Sequence, residues 1–146
     1  EKDDYLKSLG AGSVISRADL SEENKRPMAA ETWAHGIDTV GGEILSNVIK
    51  GLKYNGSVAI CGLVASPAFS TTVLPFILRN VNVLGVDSVE LPLAKKQEIW
   101  HRLATDLKLD TLDKMTTEVT LDGLSDVIDS IIQGGVSGRT LVKLDD

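Results

Sequence analysis

Apolar and polar positions alternate between two periods along the 146 residues. Tyr5, Leu6 and Leu9 fall on one helical face, and Gly10 follows where a helix-ending glycine belongs. Ser13-Val14-Ile15-Ser16 is a short β-branched run and predicts a strand. Residues 19–35 are polar and interrupted by Pro27, which predicts a loop with one short helix. Ile37-Asp38-Thr39-Val40 predicts the next strand, ended by Gly41-Gly42. Ile44, Leu45, Val48, Ile49 and Leu52 then recur at helical spacing, with Gly56 just beyond. Ser57 to Val64 is nearly unbroken apolar sequence, the mark of a strand buried on both faces.

After a loop over 66–72, Leu74 to Arg79 reads as a short helical turn leading into an apolar strand, Val81 to Val86. Pro92 suits the first turn of a helix whose buried stripe is Ile99, Trp100, Leu103 and Leu107. Glu118 to Thr120 predicts a short strand. Asp122 is placed to cap a helix carrying Leu124, Val127, Ile128, Ile131 and Ile132, which Gly134-Gly135 closes. Arg139 to Leu144 predicts the last strand. Such alternation is the grammar of an α/β domain with a parallel sheet. Ligands in these sheets bind beyond the carboxyl ends of the strands. Attention therefore goes to Val40-Gly41-Gly42, Cys61-Gly62-Leu63 and Val86-Asp87-Ser88.

Composition narrows the class without naming a chemistry. Hydrophobic residues make up 42% and charged residues 25%, enough apolar sequence for a core without disulfides or a structural metal. A net charge of −6 with no basic run argues against nucleic acid and anionic membranes as partners. No apolar stretch approaches the roughly 20 residues of a membrane-spanning helix. Glu1-Lys2-Asp3-Asp4 lacks the basic and apolar regions of a signal peptide. With no initiator Met and an abrupt helical start, it is expected to be the cut edge of a longer protein. The single Cys61 makes no internal disulfide and fits a cytoplasmic setting.

Each candidate for chemistry has a plainer structural role beside it. Gly10-Ala11-Gly12-Ser13-Val14-Ile15 begins like a G-x-G-x-x-G dinucleotide loop but fails at its last position. It also follows a helix and precedes a strand, the reverse of the order that points amides at a pyrophosphate. Gly41-Gly42 has the right context but is only a pair, open to helix initiation or to ligand approach. Cys61 and Gly62 are either close-packing residues or the flat floor under a ligand ring. His35 and His101 lack zinc-ligand spacing, and Ser66 and Ser70 lack a nucleophile elbow. No catalytic residue and no metal site are assigned. Arg17, just past a predicted strand, and Arg139, opening another, are placed for phosphate or for ordinary surface roles.

Several blocks carry a resemblance. Asp4-Tyr5-Leu6-Lys7-Ser8-Leu9-Gly10-Ala11 resembles the segment after the second Rossmann strand of medium-chain dehydrogenase/reductases. Ile37 to Gly41, Ala59 to Leu63, Pro75-Phe76-Ile77-Leu78-Arg79-Asn80-Val81, Gly85-Val86-Asp87-Ser88 and Gly138 to Lys143 follow in that family's order. Together they are similar to its YhdH/YhfP-type branch of quinone oxidoreductases and acrylyl-CoA reductases, along essentially the whole chain.

The resemblance implies a zinc-independent, NADPH-dependent oxidoreductase acting on a small molecule. Its reaction would be reduction of the C=C bond of α,β-unsaturated carbonyl compounds, or of quinones. It implies that residues 1–115 are the carboxyl-terminal part of a Rossmann domain, a doubly wound and mainly parallel sheet. Residues 116–146 would be a segment returning to a GroES-like domain absent here. Arg17 would face the adenosine 2′-phosphate, and Leu63 and Ile77 would line the nicotinamide half with Gly62 beneath. Ser88 would touch the cofactor, and Arg139 would close the cleft. A homodimer through the strand Val81 to Val86 is expected. The GroES-like domain, the first two Rossmann strands and the glycine-rich turn have no counterpart, so the isolated chain is expected to be inactive. The competing class is a non-catalytic nucleotide-binding or dimerisation module.

Overall fold

The computed structural model describes residues 2–144, which form two units. The first spans 13–92 and is a three-stranded parallel sheet in the order β1 (Trp33–Asp38), β2 (Leu52–Ile60), β3 (Asn82–Gly85). Parallel pairing needs crossovers, and helices α3 (Gly42–Lys50) and α4 (Leu74–Arg79) supply them. Helix α3 inserts Leu45 and Ile49 among Leu52, Val58 and Val81, all at most 5% exposed. Trp33, Val48, Ile60, Phe76 and Val83 pack around this nucleus.

The second unit joins residues 2–12 to 93–144. It holds α1 (Asp3–Ser8), α5 (Leu93–Ala104), a 3-10 turn at Asp113–Met115, α6 (Leu124–Ile132) and a two-stranded parallel sheet of β4 (Thr116–Thr120) and β5 (Arg139–Lys143). None of its described residues is fully buried.

Several boundaries differ from the sequence reading. Ser13 to Ser16 forms no strand, because no neighbouring strand offers it a ladder; only a short helix, α2 (Ala18–Ser21), follows. β1 starts at Trp33, which pairs with Leu52, and ends at Asp38 rather than Val40. Helix α3 stops at Lys50, where the Gly51 N–H bonds the carbonyls of Asn47 and Val48. Leu52, expected on the helical stripe, is instead the first residue of β2. That strand is fully covered only at Leu52, Gly56 and Val58, and Cys61, Leu63 and Val64 lie exposed beyond its end. β3 is shorter than Val81 to Val86, although the Val86 N–H still bonds the Ile60 carbonyl. The expected buried stripe of α5 is exposed at Ile99, Trp100, Leu103 and Leu107, since no layer covers it within its unit. Gly123, not Asp122, holds the N-cap position of α6, with no side-chain cap bond. Residues 145–146 lie outside the described residues.

Candidate functional site at the strand ends

The carboxyl end of β1 is organised by Asp38, which is 5% exposed. Its Oδ2 accepts bonds from the N–H groups of Val40 (3.2 Å) and Gly41 (2.8 Å), an Asx turn that directs the chain into α3. Gly41 adopts φ +71°, and a Cβ there would fall 2.1 Å from the Ser66 carbonyl oxygen. Close backbone packing therefore accounts for the glycine at this position. Sequence reasoning weighed Gly41 and passed over Asp38. The spacing of an aspartate three residues before a glycine at a strand end was the available signal.

The end of β2 lies alongside. The Cys61 N–H bonds the Asp38 carbonyl at 2.9 Å, Val64 bonds Thr39 at 3.3 Å, and Ala65 bonds Val40 at 2.9 Å. Gly62 sits so close to Thr39 that a Cβ would come within 2.4 Å of its carbonyl oxygen. Leu63 and Val64 project into solvent, 63% and 85% exposed. At the end of β3, the Asp87 Oδ1 accepts from the amides of Val89 and Glu90, fixing the turn that carries exposed Ser88. The structure thus gathers Gly62 and Leu63 with Thr39 and Val40, and ties Val86, two residues before Ser88, to the same sheet end.

The remaining candidates are placed less tightly. Ile77 projects from α4, 68% exposed, while its neighbour Phe76 packs on the core. Arg17 occupies the N-cap position of α2, exposed and without an ion pair to any described residue. Ile15, two residues earlier, lines a cavity of about 300 Å³ with Ile37, Asp38, Thr39 and Val40. Arg139 belongs to the other unit and opens β5 opposite Thr116. Its Nη1 donates to the Gly138 carbonyl, and Gly138 lies against the Met115 carbonyl and the Tyr5 hydroxyl.

In the sequence Arg79 stands out only as part of the Pro75 to Val81 motif, yet it fastens the whole region. Its guanidinium donates to the carbonyls of Lys50 (3.0 Å), Leu52 (3.2 Å) and Ala29 (2.7 Å) and meets Glu31 at 3.6 Å. The helix bearing Ile77 is thereby locked to the junction of α3 and β2. Gly10 follows α1, and no strand leads into the segment, so Gly10 to Ile15 is a turn and not a phosphate loop.

An α/β unit with parallel strands, presenting its strand ends as an open surface, defines the class. Residues 1–109 match the profile of the zinc-binding dehydrogenases, and the chain belongs to that family. Within it, the resemblance to the YhdH/YhfP-type branch holds. The chain is 42% identical over 144 residues to acrylyl-CoA reductase AcuI of Ruegeria pomeroyi, covering 99% of this chain and 44% of that protein. Escherichia coli K-12 YhdH, solved with bound NADPH, superposes with a TM-score of 0.87 at 41% identity, over 99% of this chain and 44% of that one. Bacillus subtilis YhfP, solved with NAD bound, gives 0.91 at 39% identity, over 97% and 43%. The chain thus spans less than half the length of these relatives. The sheet is a Rossmann-like one, as the alternation of strands and helices predicts.

The family's name implies zinc, and the described residues do not fit it: no group of three or more His, Cys, Asp or Glu is arranged to hold a metal ion. Among the described residues no helix is long and apolar enough to cross a membrane.

Proposed function

We propose that this chain supplies a nucleotide-holding surface to an NADPH-dependent oxidoreductase. Its substrate would carry an activated C=C bond, as in an acrylyl-CoA thioester, or would be a quinone. The observation that carries this reading is the set of adjoining strand ends. Gly62 packs there against the Thr39 carbonyl, with exposed Leu63 beside it and exposed Ser88 on the neighbouring turn. Open parallel sheets hold ligands at such an edge.

The residues present fit a dinucleotide. When bound, the reduced nicotinamide supplies a hydride to the substrate. Gly62, packed on Thr39, fixes the chain that presents Leu63, and the apolar faces of Leu63 and Ile77 exclude water from the ring. The Ser88 hydroxyl is free to hydrogen-bond a polar edge of the nucleotide. Arg17, exposed and without an ion pair among the described residues, suits a 2′-phosphate, which a planar fork grips in two places. The role expected of Arg139 rests on the resemblance alone. A cytoplasmic setting is proposed on the exposed, free thiol of Cys61.

Titration of NADPH into the chain, followed by backbone amide NMR, tests this. Shifts are expected at Gly62, Leu63, Ile77 and Ser88, with NADH weaker by about tenfold and Arg17→Ala abolishing that preference. Absence of localised shifts at millimolar nucleotide overturns the reading. With acrylyl-CoA added, no turnover is expected from this chain alone; robust turnover would show that it holds the whole catalytic apparatus.

One observation favours an assembly role as well. β3 pairs only with β2 among the described residues, leaving an edge with Leu84 and Val86 half exposed. Open edge strands recruit partners, and a homodimer through Val81 to Val86 is proposed. A monomer independent of concentration in sedimentation experiments counts against it.

A further inference from the structure

We propose that Asn55 is a site of self-modification, which the folded chain converts to aspartate and isoaspartate through a cyclic imide formed with Gly56. Of the five asparagines, Asn24, Asn47, Asn55, Asn80 and Asn82, only Asn55 precedes glycine. Imide formation needs the main-chain nitrogen of the following residue to reach the asparagine Cγ. A side chain on that residue obstructs the approach, and Gly56 has none.

The local structure adds three features. Asn55 is exposed and left-handed, at φ +61°. It also lies where the pairing of β2 slips: Trp33 faces Leu52 but His35 faces Ser57, so residues 53–56 bulge opposite Ala34 alone. A bulge can rearrange without breaking the ladder at 57–60. Finally, Asn80 donates from Nδ2 to the Asn55 Oδ1 at 2.9 Å. Asn80 is itself left-handed at φ +50°, and these two are the only non-glycine residues so placed among those described.

The Asn80 bond bears directly on the chemistry. The Gly56 nitrogen adds to Cγ of Asn55, and negative charge develops on Oδ1, where the Asn80 amide already donates. The C–N bond to the side-chain amide then breaks and ammonia leaves with the proton from Gly56. Water opens either carbonyl of the imide, giving aspartate or isoaspartate. The net reaction exchanges ammonia for water with no change of oxidation state. The isoaspartyl product lengthens the main chain of β2 by one methylene, three residues from buried Leu52 on one side and buried Val58 on the other.

The test is to age the folded chain at mildly alkaline pH and map its peptides, with enzymatic methylation marking isoaspartate. Conversion is expected at Asn55 before any is detectable at Asn24 or Asn82, together with a falling melting temperature as isoaspartate accumulates. Asn55 keeping its amide as long as Asn82 does overturns the proposal. Gly56→Ala is a poor variant, because its Cβ would lie 2.8 Å from the carbonyl oxygens of Ala34 and Lys53. Asn80→Gly is the informative one: it tolerates the left-handed backbone, removes the donor and is expected to slow conversion several-fold. An unchanged rate in Asn80→Gly overturns the role given to that residue. Asn55→Asp, which keeps the normal linkage, is expected to melt with the unaged chain; a loss equal to that of aged protein would overturn the assignment of damage to isoaspartate.

Discussion

Helices α3 and α6 are each nine residues long and carry regular apolar stripes, yet their fates differ. In α3, Leu45 and Ile49 are 1% and 0% exposed, while in α6 Ile131 and Ile132 are 56% and 78% exposed. The difference lies in what each helix has to lie against. Three parallel strands and a second helix surround α3. Helix α6 shares its unit with a sheet of only two strands. Parallel sheets are normally covered on both faces, and two strands offer too little surface to bury a helix stripe. An amphipathic pattern thus identifies the face that needs a partner, and the layers available in the same unit decide whether it has one.

Truncation breaks this comparison most sharply. Ile49→Ala or Leu52→Ala should cost about 2–5 kcal/mol, the lost transfer energy plus a residual cavity. Ile132→Ala, the same kind of change on α6, should cost no more than about 0.5 kcal/mol. Urea denaturation of the three variants checks both. Equal losses in the two units would mean that the α6 stripe is buried by an association not visible in one chain.

The next effect concerns Arg79, whose side chain is 14% exposed. Arg79→Leu takes a donor from the carbonyls of Ala29, Lys50 and Leu52, of which Lys50 keeps the Ala29 N–H, and should cost about 1–3 kcal/mol. Arg79→Lys should recover only part of it, because an ammonium cannot match a planar fork aimed at three acceptors. Melting temperatures of both variants give the measurement. The corresponding loss in the second unit, from Arg102→Leu, should be smaller, since that side chain is exposed.

These contrasts also mark what was legible beforehand. Helix α3, the turn Leu74 to Arg79 and the strand ends at Gly62, Leu63 and Ser88 could be read because their signals are local: a period, a proline, a glycine. Leu52 was misplaced because a helical period and a following strand share an apolar residue, and only the capping of Gly51 separates them. The grip of Arg79 was invisible, since its acceptors lie 27 to 50 residues away. The exposure of Trp100 and Leu103 was equally hidden, because burial belongs to neighbours and not to a residue's own pattern. For the candidate site, the sequence supplied positions, and the geometry supplied Asp38 and Asp87 as the side chains that shape the turns.

The smallest effect is a pH dependence within the second unit. In the second unit the Arg102 Nε and Nη2 both donate to the Asp106 Oδ2, at 3.1 and 2.8 Å, and these bonds hold the Asp106 carboxyl below its ordinary pKa. A folded pKa lowered in this way means that the stabilisation is complete above the ordinary aspartate range. It is lost as pH falls through the lowered folded value. Lys143 runs the opposite way. Its bond to the Glu118 carboxylate across β4 and β5 raises the ammonium pKa, so that contribution is complete below the ordinary lysine value and disappears as pH rises through the raised one. Both pairs are exposed, so salt should weaken them as well. The difference in melting temperature between the unaltered chain and Asp106→Asn should therefore be largest near neutral pH and close to zero in strong acid. For Lys143→Gln the difference should instead vanish in strong alkali. If both differences stayed constant across the full pH range, these pairs would be bystanders at the edge of a unit stabilised in some other way.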